Sequence, residues 1–323
     1  MAKDYHRLLL LFVDGLGLAP ASESNPLWTV PTPALDGLLG TSLTADALDP
    51  AAGDAGRRDG VVLAALDARL GVDGLPQSAT GQTTLFTGVN APAALGRHVT
   101  AFPGARLREI LAEHSLLKRA VERGLDATFA NPYTPGYFRR TSGRRRGRHS
   151  ASTWSVLAAG LRLRDLDDLR ADRAVAWDVE RDLFGARLRE ERPEGEPPLE
   201  RVDAAAAGGH LAELARGHRL TLYETFYTDL AGHRRWGLEP AEAVRRVDEL
   251  MGGLLSGLRG GDVTVVLTSD HGNLEDGSHT LHTENPVPLL AVGPAAGRFA
   301  DLTRLDQVAG RILEVLTSET GGS

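Results

Sequence analysis

An unbroken apolar run, RLLLLFV from Arg7 to Val13, opens the readable pattern of the chain and stops at Asp14 and Gly15. A short continuous run of this kind predicts a strand covered on both faces, as in a parallel sheet. Similar strand signals recur in LDATFA, in RLTLYETFYT from Arg219 to Thr228 ending at Asp229, in DVTVVLTS ending at Asp270, and in PLLAVG. Between them the apolar spacing turns helical. Ala105 to Arg123 carries Leu107, Ile110, Leu111 and Leu117, with Gly124 as its expected C-cap, and Trp154 to Leu163, Pro240 to Leu258 and Leu302 to Leu316 follow. The stretch from Gly81 to Val89 predicts a helix start or turn after the LPQS punctuation. Strands alternating with helices predict an α/β fold with a mainly parallel central sheet and helices on both faces.

The pattern changes after Asn131. NPYTPGYF is rich in turn formers, RRTSGRRRGRHS is basic and poor in apolar residues, and EERPEGEPPLE is a linker-like run of charge and proline. The chain therefore divides into a discontinuous core, 1–132 with 204–323, and an inserted cap, 133–203. Composition then removes several classes. The chain has no cysteine, so disulfides and thiolate sites are excluded and any metal must be held by oxygen and imidazole. No stretch approaches the roughly 18 consecutive apolar residues of a membrane span, and no secretion signal is legible, so no membrane partner and a cytoplasmic location are expected. A net charge of −7 argues against a general nucleic-acid binder.

Three of the predicted strands lead to a carboxylate: Asp14, Asp229 and Asp270. In open α/β sheets ligands bind beyond the carboxyl ends of the strands, so these distant aspartates are expected to converge. Histidines accompany them. In DLAGH, Asp229 and His233 are four residues apart, one helical turn, and in DHGN, Asp270 and His271 are adjacent before Gly272. Carboxylate and imidazole together suit divalent cations such as zinc and manganese. LPQSATGQTT places two hydroxyls, Ser78 and Thr80, where a helix starts, and the helix N-terminus favours an anion such as phosphate. The implied chemistry is two-metal phosphoryl transfer through a covalent serine or threonine intermediate.

Taken in order, FVDGLG, SATGQ, DLAGH, TSDHGN and HTLHTENPVP resemble the alkaline phosphatase superfamily, especially cofactor-independent phosphoglycerate mutase and phosphopentomutase. The resemblance implies an alkaline phosphatase-like core with a small inserted cap and two divalent cations, manganese or zinc. It matches Asp14, Ser78, Asp270 and His271 to the ligands of one cation, and Asp229, His233 and His282 to those of the other. Ser78 matches the phosphorylated nucleophile, with Thr80 as the alternate. His279 competes with His282 and otherwise falls to substrate or to loop, and Asn273 either orients a ligand or shapes its turn. The pattern's histidine after the motif glycine is Gln82 here. Within the basic loop, Arg146 and His149 are candidates for phosphate capture.

The resulting expectation is a metal-dependent phosphatase or phosphomutase acting on a small phosphorylated metabolite, with oligomeric state left open. Two alternatives stand beside it. A phosphodiesterase or other hydrolase of the superfamily would use the same cations. A non-catalytic polyanion-binding protein would use the basic loop, and its binding would weaken steeply with salt and survive metal removal.

Overall fold

Strand β1 (Arg7–Val13) occupies the middle of the sheet because it has nothing polar to show on either side: Leu8 to Leu11 are fully buried. Burial of each leucine side chain contributes ~2 kcal/mol. In the computed structural model, which describes residues 6–48, 59–141, 149–191, 197–258, 261 and 263–319, five further strands join it. They are β2 (Val61–Leu66), β3 (Ala127–Phe129), β4 (Leu220–Thr225), β5 (Val263–Thr268) and β6 (Val287–Val292). The order is β2-β6-β5-β1-β4-β3. β1 pairs in parallel with β4 and β5, and β3 with β4, while β6 runs antiparallel to both β5 and β2.

Alternation along β1 sorts the core into two layers. Leu9, Leu11 and Val13 join the helices Pro33–Leu39, Ala204–Gly217 and Pro240–Gly257 on one face. Leu8, Leu10 and Phe12 join Ser78–Thr87, Leu116–Val121 and Val308–Thr317 on the other. The α/β fold with helices on both faces of a mostly parallel sheet is therefore as expected from the alternating pattern.

Several elements differ from the sequence reading. β2 (VVLAAL) was not anticipated, because four of its six residues are alanine or leucine, which carry no strong strand preference. The expected helix from Ala105 to Arg123 breaks at Ser115, whose extended backbone (ψ 130°) ends Ala105–His114 and whose hydroxyl caps Leu116–Val121. The helix expected over Trp154 to Leu163 lies earlier, at Ala151–Ala158, behind a Ser150 N-cap. The helix expected from Leu302 begins only at Val308, preceded by a 3₁₀ turn at Leu305–Gln307. β4 stops at Thr225, and Asp229 sits instead in the first turn of the helix Tyr227–Gly232.

Residues 133–203 share part of the main core and build part of their own. Ala151 and Val156 pack with the Ser78 helix layer, and Val175 and Val179 with the opposite layer. Leu166, Leu169, Ala174, Ala176, Phe184 and Leu188 form a small separate cluster. Buried Arg246, in the helix Pro240–Gly257, fastens this segment to the core helices: it grips Asp182 with two nitrogens at 3.0 and 2.7 Å, donates to the Asp178 carbonyl at 2.9 Å, and lies over the Tyr227 ring. That contact steadies the helix on which Asp229 rides. Among the described residues no helix is long and apolar enough to cross a membrane.

Candidate metal centre

β1 delivers Asp14 to the carboxyl end of the sheet, where the chain must turn at once. Gly15 makes the turn with φ +73°, and a Cβ there would come within 2.9 Å of the Asp229 Cα, so the bare glycine lets the two loops touch. The Thr228 hydroxyl donates to the Asp14 carbonyl at 2.5 Å, and the Leu16 amide donates to Ser269 Oγ at 2.9 Å. These bonds tie the end of β1 to the segments following β4 and β5. The three aspartates, far apart in sequence, meet because their strands are neighbours in the sheet.

Two clusters of ligand atoms result. Around His271 Nε2 lie Ser78 Oγ at 3.1 Å, Asp14 Oδ1 at 3.3 Å and Asp270 Oδ2 at 3.6 Å. Beside it, His233 Nε2 is 3.2 Å from Asp229 Oδ1 and 3.2 Å from His282 Nε2, which is itself 3.7 Å from Asp229 Oδ1. The His271 and His282 rings stack at 3.7 Å, so the clusters share a wall, and Asp229, His271 and His282 also fall within a single ligand-sized group.

The hydrogen bonds show what these atoms await. His233 Nδ1 lies 2.7 Å from the Thr280 carbonyl, and His282 Nδ1 lies 2.8 Å from the Pro76 carbonyl. A carbonyl only accepts, so each Nδ1 carries the proton and each Nε2 presents a bare lone pair. Two lone pairs and a carboxylate oxygen thus face one another with no donor among them. Asp14 Oδ1, Asp229 Oδ1 and both Asp270 oxygens are buried without a hydrogen-bond partner. Such an arrangement is costly unless a cation sits between the atoms. The spacing fits one: ligands ~2.0–2.1 Å from a tetrahedral cation stand ~3.3 Å from each other.

Electrostatics agree. Burial, and then the charge of Asp229, push Asp270 up to about 8. Burial, then Asp270 and Asp229, raise Asp14 well above the ordinary carboxylate range. Burial, then the neighbouring His271, bring His282 down to about 4 and keep it a neutral ligand. Burial alone would raise Asp229, but the adjacent His233 ring and the surrounding imidazoles outweigh it and hold the carboxyl low. Divalent charge would relieve the crowded carboxylates.

Not every predicted residue reaches the centre. Thr80 is fully buried, but its hydroxyl donates to the Gln77 carbonyl at 3.1 Å and accepts from the Val99 amide at 3.2 Å, pointing into the fold. The Ala79 and Thr80 amides are both taken by the Val99 carbonyl, so the helix offers Ser78 and its dipole to an anion rather than a row of free amides. His279 is half exposed, 3.5 Å from Asp276, with its Nδ1 taken by the Leu281 amide. Asn273 contacts His233 Nδ1 at 3.3 Å. Gln82 donates to Asp14 Oδ2 at 2.9 Å. His149 is held by the Tyr137 hydroxyl at 2.6 Å and by Trp154 edge-on, inside an aromatic cluster of the 133–203 segment. Arg146 lies outside the described residues.

One organising residue escaped the sequence reading. Glu275 is buried and accepts from the Gly17 amide at 2.9 Å, the Asn273 amide at 2.8 Å, Asn285 Nδ2 at 3.1 Å and the Thr283 hydroxyl. It thereby stitches the loop after β1 to the loops carrying His271 and His282. In sequence it is one acid beside another, Asp276, and nothing in its type marks it out.

Comparison with known proteins follows the same lines. Residues 205–320 match the family model described as Metalloenzyme superfamily. The chain is 30% identical over 123 residues to the 2,3-bisphosphoglycerate-independent phosphoglycerate mutase of Cereibacter sphaeroides, a match covering 36% of this chain and 24% of that protein. With the enzyme of the same name from Halobacterium salinarum it is 38% identical over 96 residues, covering 27% of this chain and 19% of that one. The chain thus matches less than a quarter of the length of either relative. A solved protein from Pyrococcus horikoshii shares the fold across 99% of both chains, with a TM-score of 0.57 and 15% identity. The superfamily resemblance carried by the motifs is borne out by these matches.

Proposed function

Starting from this kinship with the Metalloenzyme superfamily, we propose that the chain is a two-metal phosphoryl-transfer enzyme acting on a small phosphorylated metabolite through phosphorylated Ser78. One observation supports the reading above all: a serine hydroxyl at a helix start stands 3.1 Å from an imidazole, beside buried carboxylate oxygens that lack hydrogen-bond partners and ring nitrogens that face them. Asp14, Ser78, Asp270 and His271 would hold one cation, manganese or zinc, and Asp229, His233 and His282 the other. The bound cations supply Lewis acidity, which lowers the hydroxyl pKa and stabilises charge on the transferring phosphoryl group.

The chain's own groups do the rest. Ser78, in the first turn of its helix, aims Oγ at the substrate phosphorus with the helix dipole favouring the anion. The new bond is Oγ–P, and the bond that breaks joins phosphorus to the ester oxygen, which leaves with a proton. His271 holds the attacking oxygen in line. Phosphoserine then passes its group to water, as in a phosphatase, or to another hydroxyl, as in a mutase. In this reading residues 133–203 act as the cap, and whether they retain the dephosphorylated product decides between the two outcomes.

The test is a panel of phosphomonoesters, diesters and sugar phosphates with added manganese or zinc, following free phosphate and isomer formation together. Chelation should stop turnover and the cation should restore it. Mass spectrometry of acid-quenched enzyme should find phosphate on Ser78. Two bound equivalents of metal with neither phosphoester turnover nor phosphoserine would refute the reading.

A further inference from the structure

The helix Ser78–Thr87 turns three consecutive contacts towards the centre. Ser78, Gly81 and Gln82 lie at i, i+3 and i+4 on one helical face. Ser78 offers its hydroxyl to His271, Gly81 lets the backbone close on Asp270, and Gln82 reaches Asp14. Gln82 is buried, and its amide nitrogen donates to Asp14 Oδ2 at 2.9 Å. The amide orientation is forced, since its oxygen would meet the carboxylate as acceptor against acceptor. Asp14 Oδ1, the other oxygen, has no hydrogen-bond partner and faces His271 Nε2 at 3.3 Å.

From this geometry we infer that Gln82 is a positioning residue that restricts Asp14 to one ligating oxygen and thereby selects against large cations such as calcium at this site. The inference rests on the two-metal reading of the centre. Calcium requires 6–8 oxygen ligands and commonly takes both oxygens of a carboxylate, whereas zinc and manganese accept fewer donors at shorter distance. With Oδ2 held by the amide, Asp14 presents Oδ1 foremost, and turning both oxygens onto one cation would strain that hydrogen bond. Where the superfamily pattern has a histidine that can gain or lose a proton, the amide holds its donor at every pH.

Metal-stripped wild type and Gln82→Leu, which keeps the volume and removes the donor, are titrated calorimetrically with manganese and with calcium. Manganese affinity at one of the two sites should fall about 10- to 100-fold in the variant, the range for losing a residue that orients a ligand. Calcium affinity should hold or rise, so that the calcium-to-manganese Kd ratio drops at least about tenfold. Gln82→Asn, whose amide is too short to reach Asp14, should behave alike and serves if Gln82→Leu does not fold. An unchanged ratio in a folded variant overturns the role of Gln82 and leaves the centre standing. A wild type that binds neither cation overturns both.

Discussion

Gly81→Ala adds a single methyl group at the closest approach between the nucleophile's helix and a carboxylate strand. A Cβ at Gly81 would lie 2.7 Å from the Asp270 carbonyl oxygen and 2.9 Å from the Asp270 Cβ. Reaching an ordinary contact of ~3.4 Å requires the helix or the loop to move about 0.7 Å. Neither neighbour is a flexible side-chain end, so the backbone itself must yield. Overpacking of this kind costs about 1–3 kcal/mol, against which alanine in a helix interior returns about 1 kcal/mol. The net change in stability is therefore small, a loss of roughly 0–2 kcal/mol by those two terms. Function should suffer more. A misplacement of ~1 Å costs about 100-fold in rate, so turnover should fall at least ~10-fold as Ser78 Oγ is drawn away from the His271 ring. Gly209→Ala is the control. It sits inside the helix Ala204–Gly217 with nothing within 4 Å of its added Cβ, and should stabilise the fold by ~1 kcal/mol without touching activity. Denaturant unfolding and phosphoester turnover, measured on both variants, give the answer. A Gly81→Ala protein as active as wild type would refute the close packing of the Ser78 helix on Asp270.

Removing His233 takes away one of three donors in the outer cluster, so His233→Ala should bind one equivalent of metal instead of two by elemental analysis; two equivalents would strike it from the ligands. Without cations, stability should decline between about pH 6.5 and about pH 8. Over that window the folded state keeps protons the unfolded chain has lost, because burial and Asp229 raise Asp270 to about 8, and Asp14 outweighs burial to raise His271. Each such group contributes a loss of up to about 1.4 kcal/mol per pH unit. His282, already neutral there, adds nothing. Thermal melts in chelator that rise over this range would contradict the assignment, and added cation should flatten the slope. Glu275→Ala leaves the Gly17 and Asn273 amides without their acceptor, and should cost about 2–4 kcal/mol in denaturant unfolding; a loss under ~1 kcal/mol would show that water replaces the carboxylate.

The strand β1 and the alternation of strand with helix were legible in the chain because each depends on local period alone: a run with no polar residue has no face to give to water. Asp14 and Asp270, one and two residues beyond strand ends, were placed by that same logic. Asp229 was not, since apolar content carried the strand signal through Phe226 and Tyr227 although the chain had already begun to coil. Residue order also carried the motif set, and with it the pairing of Asp229 with His233 at one helical turn. Tertiary structure decided what neighbours in space decide. The Thr80 hydroxyl is taken by Gln77 and Val99, Glu275 is central because three loops close around it, and Gln82 matters through which oxygen of Asp14 it holds. A sequence lists donors and acceptors, but a hydrogen bond is satisfied or left open only once the fold has brought its two ends together.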